Sequence, residues 1–180
     1  MLEEARVIAL VRAGEVDAFA GIVEHYQAQI TRYLYRLTGD YEIAKDLTQD
    51  TFVQAYKGIM KTDADISFRA WLYRIATNNA LQYHRRRKLL SFVRLAPGDA
   101  HMMLAEKKTG NQAETAAIEE ALRYVPEEQR ICLVLHFAEG FKYREIAETL
   151  NISEDAVRKR VARGRRAFID CYSRRGDGEA

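Results

Sequence analysis

Apolar side chains recur along this chain at three- and four-residue intervals, and no segment alternates convincingly, so the pattern predicts helices with one buried face. A short amphipathic segment spans residues 2–13 and stops at Gly14. Asp17 is placed to cap a long helix whose apolar stripe runs Phe19, Ile22, Val23, Tyr26, Ile30, Tyr33, Leu34 and Leu37, with Gly39 ending it. Asp40 opens the next helix, through Ala44, Leu47, Thr51, Phe52 and Ala55 to about Gly58. After a polar loop at 61–66, Ser67 opens a fourth through Phe68, Trp71, Leu72, Ile75, Ala76 and Leu81 to about Arg87. Four such faces can bury one another and form a first domain over residues 1–89.

From 90 to 112 the periodicity fades. Pro97-Gly98-Asp99 is a turn signal and Gly110-Asn111 a second break, so this stretch reads as a flexible linker, with a short transient helix at 102–107. A second small helical domain fills 113–180, with helices at 113–124, 126–138, 142–150 and 153–173. Pro126 is expected in a first turn and Gly140 after an end. The fold class is therefore all-α, two helical units joined by a linker.

Composition changes this picture little: 180 residues, 48% hydrophobic and 30% charged, support an ordinary core, and a formal charge of +2 names no partner. The distribution of charge says more, because acids gather at Glu42, Asp46 and Asp50 while the C-terminal helix is rich in arginine. No apolar run is long enough to span a bilayer, and Glu3 and Glu4 stand where a signal peptide would carry basic residues. Two cysteines, Cys132 and Cys171, make no disulfide framework. The expectation is a cytoplasmic protein without membrane insertion.

Three constellations carry chemistry. The first is Phe141 to Arg166, two short helices joined at Asn151-Ile152-Ser153, with Ser153 as N-cap and Glu154 and Asp155 in the first turn, where the helix dipole favours acids. Ile146, Ala147, Leu150, Ile152, Val157 and Val161 supply the crossing contacts. Arg158, Lys159, Arg160, Arg163, Arg165 and Arg166 are left to face outward. This is a helix-turn-helix with a recognition helix suited to the major groove, where arginines donate to phosphates and guanine edges.

The second runs from Phe68 to Lys88 and interleaves aromatics, amides and cations on one helix. Phe68, Trp71, Leu72 and Ile75 read largely as core. Arg74, Asn78, Asn79 and Tyr83 fit a core less easily, and Arg85, Arg86, Arg87 and Lys88 can hold phosphates beside stacked, unpaired bases. In the third, Glu42, Asp46 and Asp50 share a helix face at i, i+4, i+8 with Gln49 beside them, a surface for a basic protein rather than DNA, or simply a solvated face.

In their order and separation these motifs resemble the extracytoplasmic-function sigma factors, the smallest group of the sigma-70 family. Asp46-Leu47-x-Gln49-Asp50-x-Phe52 is similar to that family's helix that docks on the clamp of core RNA polymerase. Phe68-x-x-Trp71-Leu72-Tyr73-Arg74-Ile75-Ala76-x-Asn78, with Arg85-Arg86-Arg87 behind it, resembles the segment that melts and reads the −10 element. Val125-Pro126-x-x-x-Arg130, Gly140-Phe141-x-Tyr143-x-Glu145-Ile146-Ala147 and Val157-x-x-Arg160-x-x-Arg163-x-Arg165 resemble the −35-reading domain.

The resemblance implies core polymerase contacts through Asp46, Leu47, Gln49, Asp50 and Phe52. It implies −10 contacts through Trp71 (mainly as a brace), Arg74, Asn78, Asn79, Tyr83, Arg85, Arg86, Arg87 and Lys88. The −35 contacts would be Tyr143, Arg158, Lys159, Arg160, Arg163, Arg165 and Arg166. Core polymerase, promoter DNA and an anti-sigma factor are the implied partners. No cofactor is implied, and catalysis of RNA synthesis belongs to the polymerase.

Other signals point elsewhere with less force. Cys132 and His136 have the i, i+4 spacing of two zinc ligands, but Ile131, Leu133, Val134, Leu135 and Phe137 around them favour a packed helix. His25, His84 and His101 have no evident catalytic partners, and no glycine loop cradles a phosphate. A dimeric helix-turn-helix regulator would share the C-terminal motif yet leave the acidic helix and the Trp-Arg-Asn helix without a role. A protein-only adaptor would leave the arginines without one.

Overall fold

Helix boundaries follow local capping chemistry. The computed structural model describes residues 4–59, 67–93 and 110–176. The N-terminal half contains α1 (Glu4–Arg12), α2 (Ala18–Thr38), α3 (Tyr41–Gly58) and α4 (Phe68–Val93). The C-terminal half contains α5 (Gly110–Tyr124), α6 (Glu127–Phe137), α7 (Tyr143–Leu150) and α8 (Glu154–Gly176). Gly39 closes α2 in the left-handed region at φ 72°, its N–H reaching the Tyr35 carbonyl. One residue on, the Asp40 carboxylate accepts from the N–H groups of Glu42 and Ile43 at 2.9 and 3.2 Å and starts α3.

In the C-terminal half Asn151 ends α7 at φ 54°, and Ser153 Oγ accepts from the Ala156 N–H at 3.1 Å to start α8. At the start of α7 the Glu145 carboxylate reaches back to the Lys142 N–H at 2.7 Å.

Four expectations are corrected. Asp17 makes no side-chain cap; the carbonyls of Glu15, Val16 and Asp17 instead take the N–H groups of Ala18, Phe19 and Ala20. Pro126 sits at the N-cap of α6, just ahead of its first turn. Helix α4 continues past residue 87 to Val93, because Arg, Lys and Leu are strong helix formers that need no packed face to extend a helix already nucleated. The expected break at Gly110-Asn111 is a helix start. The stretch 90–112 is thus helical at both ends. The expected 102–107 helix and the 61–66 loop lie outside the described residues.

Helix α2 is the spine of the first half. Its Ile22, Ile30, Tyr33, Leu34 and Leu37 are fully buried against Ala44 and Ala55 of α3 and Leu72, Tyr73 and Ala76 of α4. Buried Tyr33 exchanges a 2.7 Å hydrogen bond with Thr77 and packs edge-on against Tyr73, so its hydroxyl is satisfied where water cannot reach it. The second half closes around Val125, Cys132, Leu135, Ile146 and Val157. Helix α8 crosses α6 closely, where a Cβ on Gly164 would sit 3.2 Å from the Gln129 backbone oxygen. The halves meet where α4 packs on α7 and α2 on α5 and α6.

Candidate nucleic-acid and protein interfaces

Helix α3 separates its inner and outer faces cleanly. Asp46, Gln49 and Asp50 are exposed, while Leu47 is half-buried and Phe52 buried against the core, so those two hold the helix rather than offer a surface. Lys45 pairs with Glu42 at 2.9 Å and lies over the Tyr41 ring. Val53, 51% exposed, and Tyr56 continue the stripe begun by Asp46, Gln49 and Asp50. The exposed face of α3 is thus acidic over two turns and apolar at its C-terminal end. Val53 and Tyr56 were not singled out in the sequence, where a hydrophobe within a helix carries no mark of being exposed.

Helix α4 presents a different surface. Trp71 is half-buried, with its ring centroid 5.5 Å from that of Phe68 and its edge over Gly58. Asn78 is exposed, but Asn79 is 5% exposed and faces inward. Its amide donates to Thr51 Oγ1 at 3.1 Å and accepts from Gln54 Nε2 at 2.9 Å. Asn79 therefore ties α4 to α3 and does not share the exposed face with Asn78, contrary to the expectation that both would face outward. Tyr83 is half-buried and edge-on to His84. Arg85, Arg86, Arg87 and Lys88 are exposed together.

Arg74 is engaged across the seam. Its Nε donates to the Thr149 carbonyl at 3.0 Å and its Nη2 to the Glu148 carbonyl, at the C-terminal end of α7, where backbone oxygens have no helical partner. Between the halves lies a polar cleft of about 450 Å³ in which Arg74, Asn78 and Arg85 face Thr149, Asn151 and Arg160.

On α8 the inner side is Val157, Val161 and Gly164, and Arg158, Lys159, Arg163, Arg165 and Arg166 are exposed. Lys159 pairs with Asp155 at 2.7 Å along the helix. Arg160 departs from the expected outward face: it reaches Glu128 of α6 at 2.6 Å and is half-buried. Arg165 rims an apolar groove of about 490 Å³ lined by Ile118, Leu122, Phe137, Phe168 and Ile169. Tyr143 at the start of α7 is half-buried against the His136 ring.

Cys132 is buried, and burial pushes its thiol up to about 11, so it stays protonated and unreactive at neutral pH. His136 is within 2.9 Å of the Phe141 carbonyl and serves the α6–α7 corner. Among the described residues no three metal-ligating side chains cluster, and no helix is long and apolar enough to cross a membrane.

An exposed acidic stripe, a cationic helix and a basic helix-turn-helix stand together in one chain, a combination suited to contacts with both protein and DNA. Sigma-70 region 2 matches residues 22–89 and Sigma-70, region 4 matches residues 115–168. The chain is 31% identical over 175 residues to the ECF RNA polymerase sigma factor SigW of Bacillus subtilis, covering 89% of this chain and 92% of that one. It is 28% identical to the RNA polymerase sigma-H factor of Pseudomonas aeruginosa, covering 92% of each. In fold it is similar to CnrH, solved in complex with the cytosolic domain of CnrY, with a TM-score of 0.71, 24% identity and 97% of each chain covered. RpoE of Bartonella quintana, solved in complex with the anti-sigma factor NepR, gives the same TM-score at 20% identity, covering 86% of this chain and 96% of that one. The chain belongs to the sigma-70 family of RNA polymerase sigma factors, in its extracytoplasmic-function group.

Proposed function

We propose that this sigma factor works as a two-unit promoter reader whose units are residues 1–89 and 113–180, joined through 90–112. The exposed α3 stripe of Asp46, Gln49 and Asp50, extended by Val53, docks on the polymerase clamp, with Leu47 and Phe52 as its anchors in the core. Helix α4 reads and opens the −10 element. Asn78 takes a base flipped from the stack, an event that costs a few kcal/mol in unstacking and pairing. Trp71 braces the helix while Arg74, Tyr83 and the Arg85–Lys88 cluster hold the backbone and opened strand.

Helix α8 enters the −35 major groove with Arg158, Lys159, Arg163 and Arg166, and Tyr143 and Arg165 lie beside it. Arg160 serves this surface indirectly, by fixing α8 against α6. The chain acts in the cytoplasm, as a specificity subunit rather than an enzyme, and takes an anti-sigma protein as a partner, as RpoE of Bartonella quintana does in its solved complex.

The observation that carries the reading is the separation of Asn78 from Asn79. Adjacent amides on one helix are divided between an exposed, unpacked position and a satisfied buried one. Permanganate footprinting of an open promoter complex tests it. Holoenzyme carrying Asn78→Ala should bind promoter duplex but leave the −10 thymines unreactive. Normal reactivity would remove Asn78 from strand capture.

A further inference from the structure

The outward face of α8 is not uniformly basic. Each residue of a helix advances about 100°, which places Asp155, Lys159 and Arg166 within about 30° of the line opposite the buried Val157, Val161 and Gly164. Arg163 lies about 50° to one side of that line and Arg158 about 90° to the other. Asp155 and Lys159 occupy the first two turns, the part of a recognition helix that meets base edges. Lys159 Nζ donates to Asp155 Oδ2 at 2.7 Å, and the two side chains are 65% and 64% exposed. Lys159, through this bond and then through its charge, holds the Asp155 carboxyl below the ordinary carboxylate range. At neutral pH Asp155 is therefore ionised and can only accept.

An acid on this line is at odds with its neighbours. Phosphates and base-edge acceptors repel it, so it weakens binding to any sequence that brings no donor to meet it. The major groove offers two base-edge donors, cytosine N4 and adenine N6, and the bonded lysine selects between them. In a G·C pair the cytosine amino group stands beside two successive acceptors, guanine O6 and N7. That order suits a carboxylate with an ammonium next to it. In an A·T pair the amino group lies between single acceptors, and the thymine methyl crowds one edge. The helix dipole favours acids in a first turn, but it does so equally at Glu154, which falls well off the outward line.

We infer that Asp155 and Lys159 jointly read one G·C pair of the −35 element. Asp155 accepts from the cytosine N4 amino group, and Lys159 donates to guanine O6 and N7 while keeping its bond to Asp155. Lys159 is then a base contact rather than a phosphate contact, and Asp155 is a specificity-determining residue. The inference rests on the placement of α8 in the −35 major groove.

The test uses holoenzyme, core polymerase with the full chain, on a promoter obtained by start-site mapping. Its −35 positions are randomised, and each template is identified by a barcode in its transcript. Wild type should favour G·C at one position by roughly tenfold or more. Asp155→Ala and Lys159→Ala should each bring that preference below about threefold and leave the other positions as they were. Asp155→Asn is the sharper arm, because an amide pairs with adenine N6 and N7: it should move the preference at that position to A·T. Both residues are exposed, so every variant should keep its helical circular dichroism and its co-elution with core. A phosphate-bound Lys159 would instead make Lys159→Ala lower transcription from all templates alike. A merely repulsive Asp155 would make Asp155→Ala raise it from all templates alike. Either result, with the base preference intact, would overturn the inference and leave α8 in the groove. Wild-type holoenzyme with no −35 preference would overturn the placement of α8 and this inference with it.

Discussion

The indole of Trp71 lies against Gly58 so closely that a Cβ at residue 58 would fall 2.9 Å from its Cζ2. The last turn of α3 and the first turns of α4 are therefore fitted to each other across residues 60–66. Gly58→Ala should cost about 1–3 kcal/mol, the usual price of overpacking, read as a lower urea midpoint at unchanged slope. Promoter opening should fall with it, because Trp71 sets the position of the helix that carries Asn78.

Asp50→Arg places a cation in the centre of the exposed acidic stripe on α3. Since Asp50 supports no core residue, the melting temperature should hold while co-elution with core polymerase is lost. Normal co-elution would remove α3 from the clamp contact.

Arg163→Ala acts at the other end. Arg163 is exposed on α8, so core binding should persist and −35-dependent transcription should weaken. In a duplex titration the salt dependence should flatten by about one unit of log–log slope, the signature of one lost phosphate contact. An unchanged slope would take Arg163 off the DNA.

Asn79→Ala should destabilise the fold by about 1–3 kcal/mol, because Thr51 and Gln54 lose a buried partner, whereas Asn78→Ala should melt like wild type. Equal melting of the two variants would contradict the inward placement of Asn79. This pair shows where the sequence was legible. Helix existence, the caps at Gly39, Asp40 and Ser153, and the helix-turn-helix all follow from local chemistry. The inward turn of Asn79 was also readable, since it falls three residues after Ala76 and beside Ala80, both on the buried stripe; its amide type argued the other way. What could not be read is the seam. Glu139 and Arg36 carry no signal in the sequence, and Arg74 reads there only as a DNA contact, until residues 103 and 75 positions apart are brought together.

His84 gives a pH signature. Burial, the largest influence, holds its imidazole below the ordinary value of 6.5; Arg130 and Arg87 act in the same direction, while Glu127 and the Leu37 carbonyl oppose it. The folded chain thus binds this proton less readily than the unfolded chain. The stability it contributes is present above about pH 6.5 and drains away as the pH falls below that value. Thermal melts between about pH 8 and about pH 5 should show the loss, and His84→Gln should reduce it. An identical pH profile in the variant would exclude His84 as the source.

Transcription with core polymerase is the most direct test of a sigma factor. Purified chain mixed with core RNA polymerase, followed by start-site mapping on genomic fragments, should give a stable complex and discrete new start sites preceded by shared −35 and −10 sequences. Failure to associate with core, together with tight binding of the free chain to duplex DNA, would contradict it and point to a regulator that acts without the polymerase clamp.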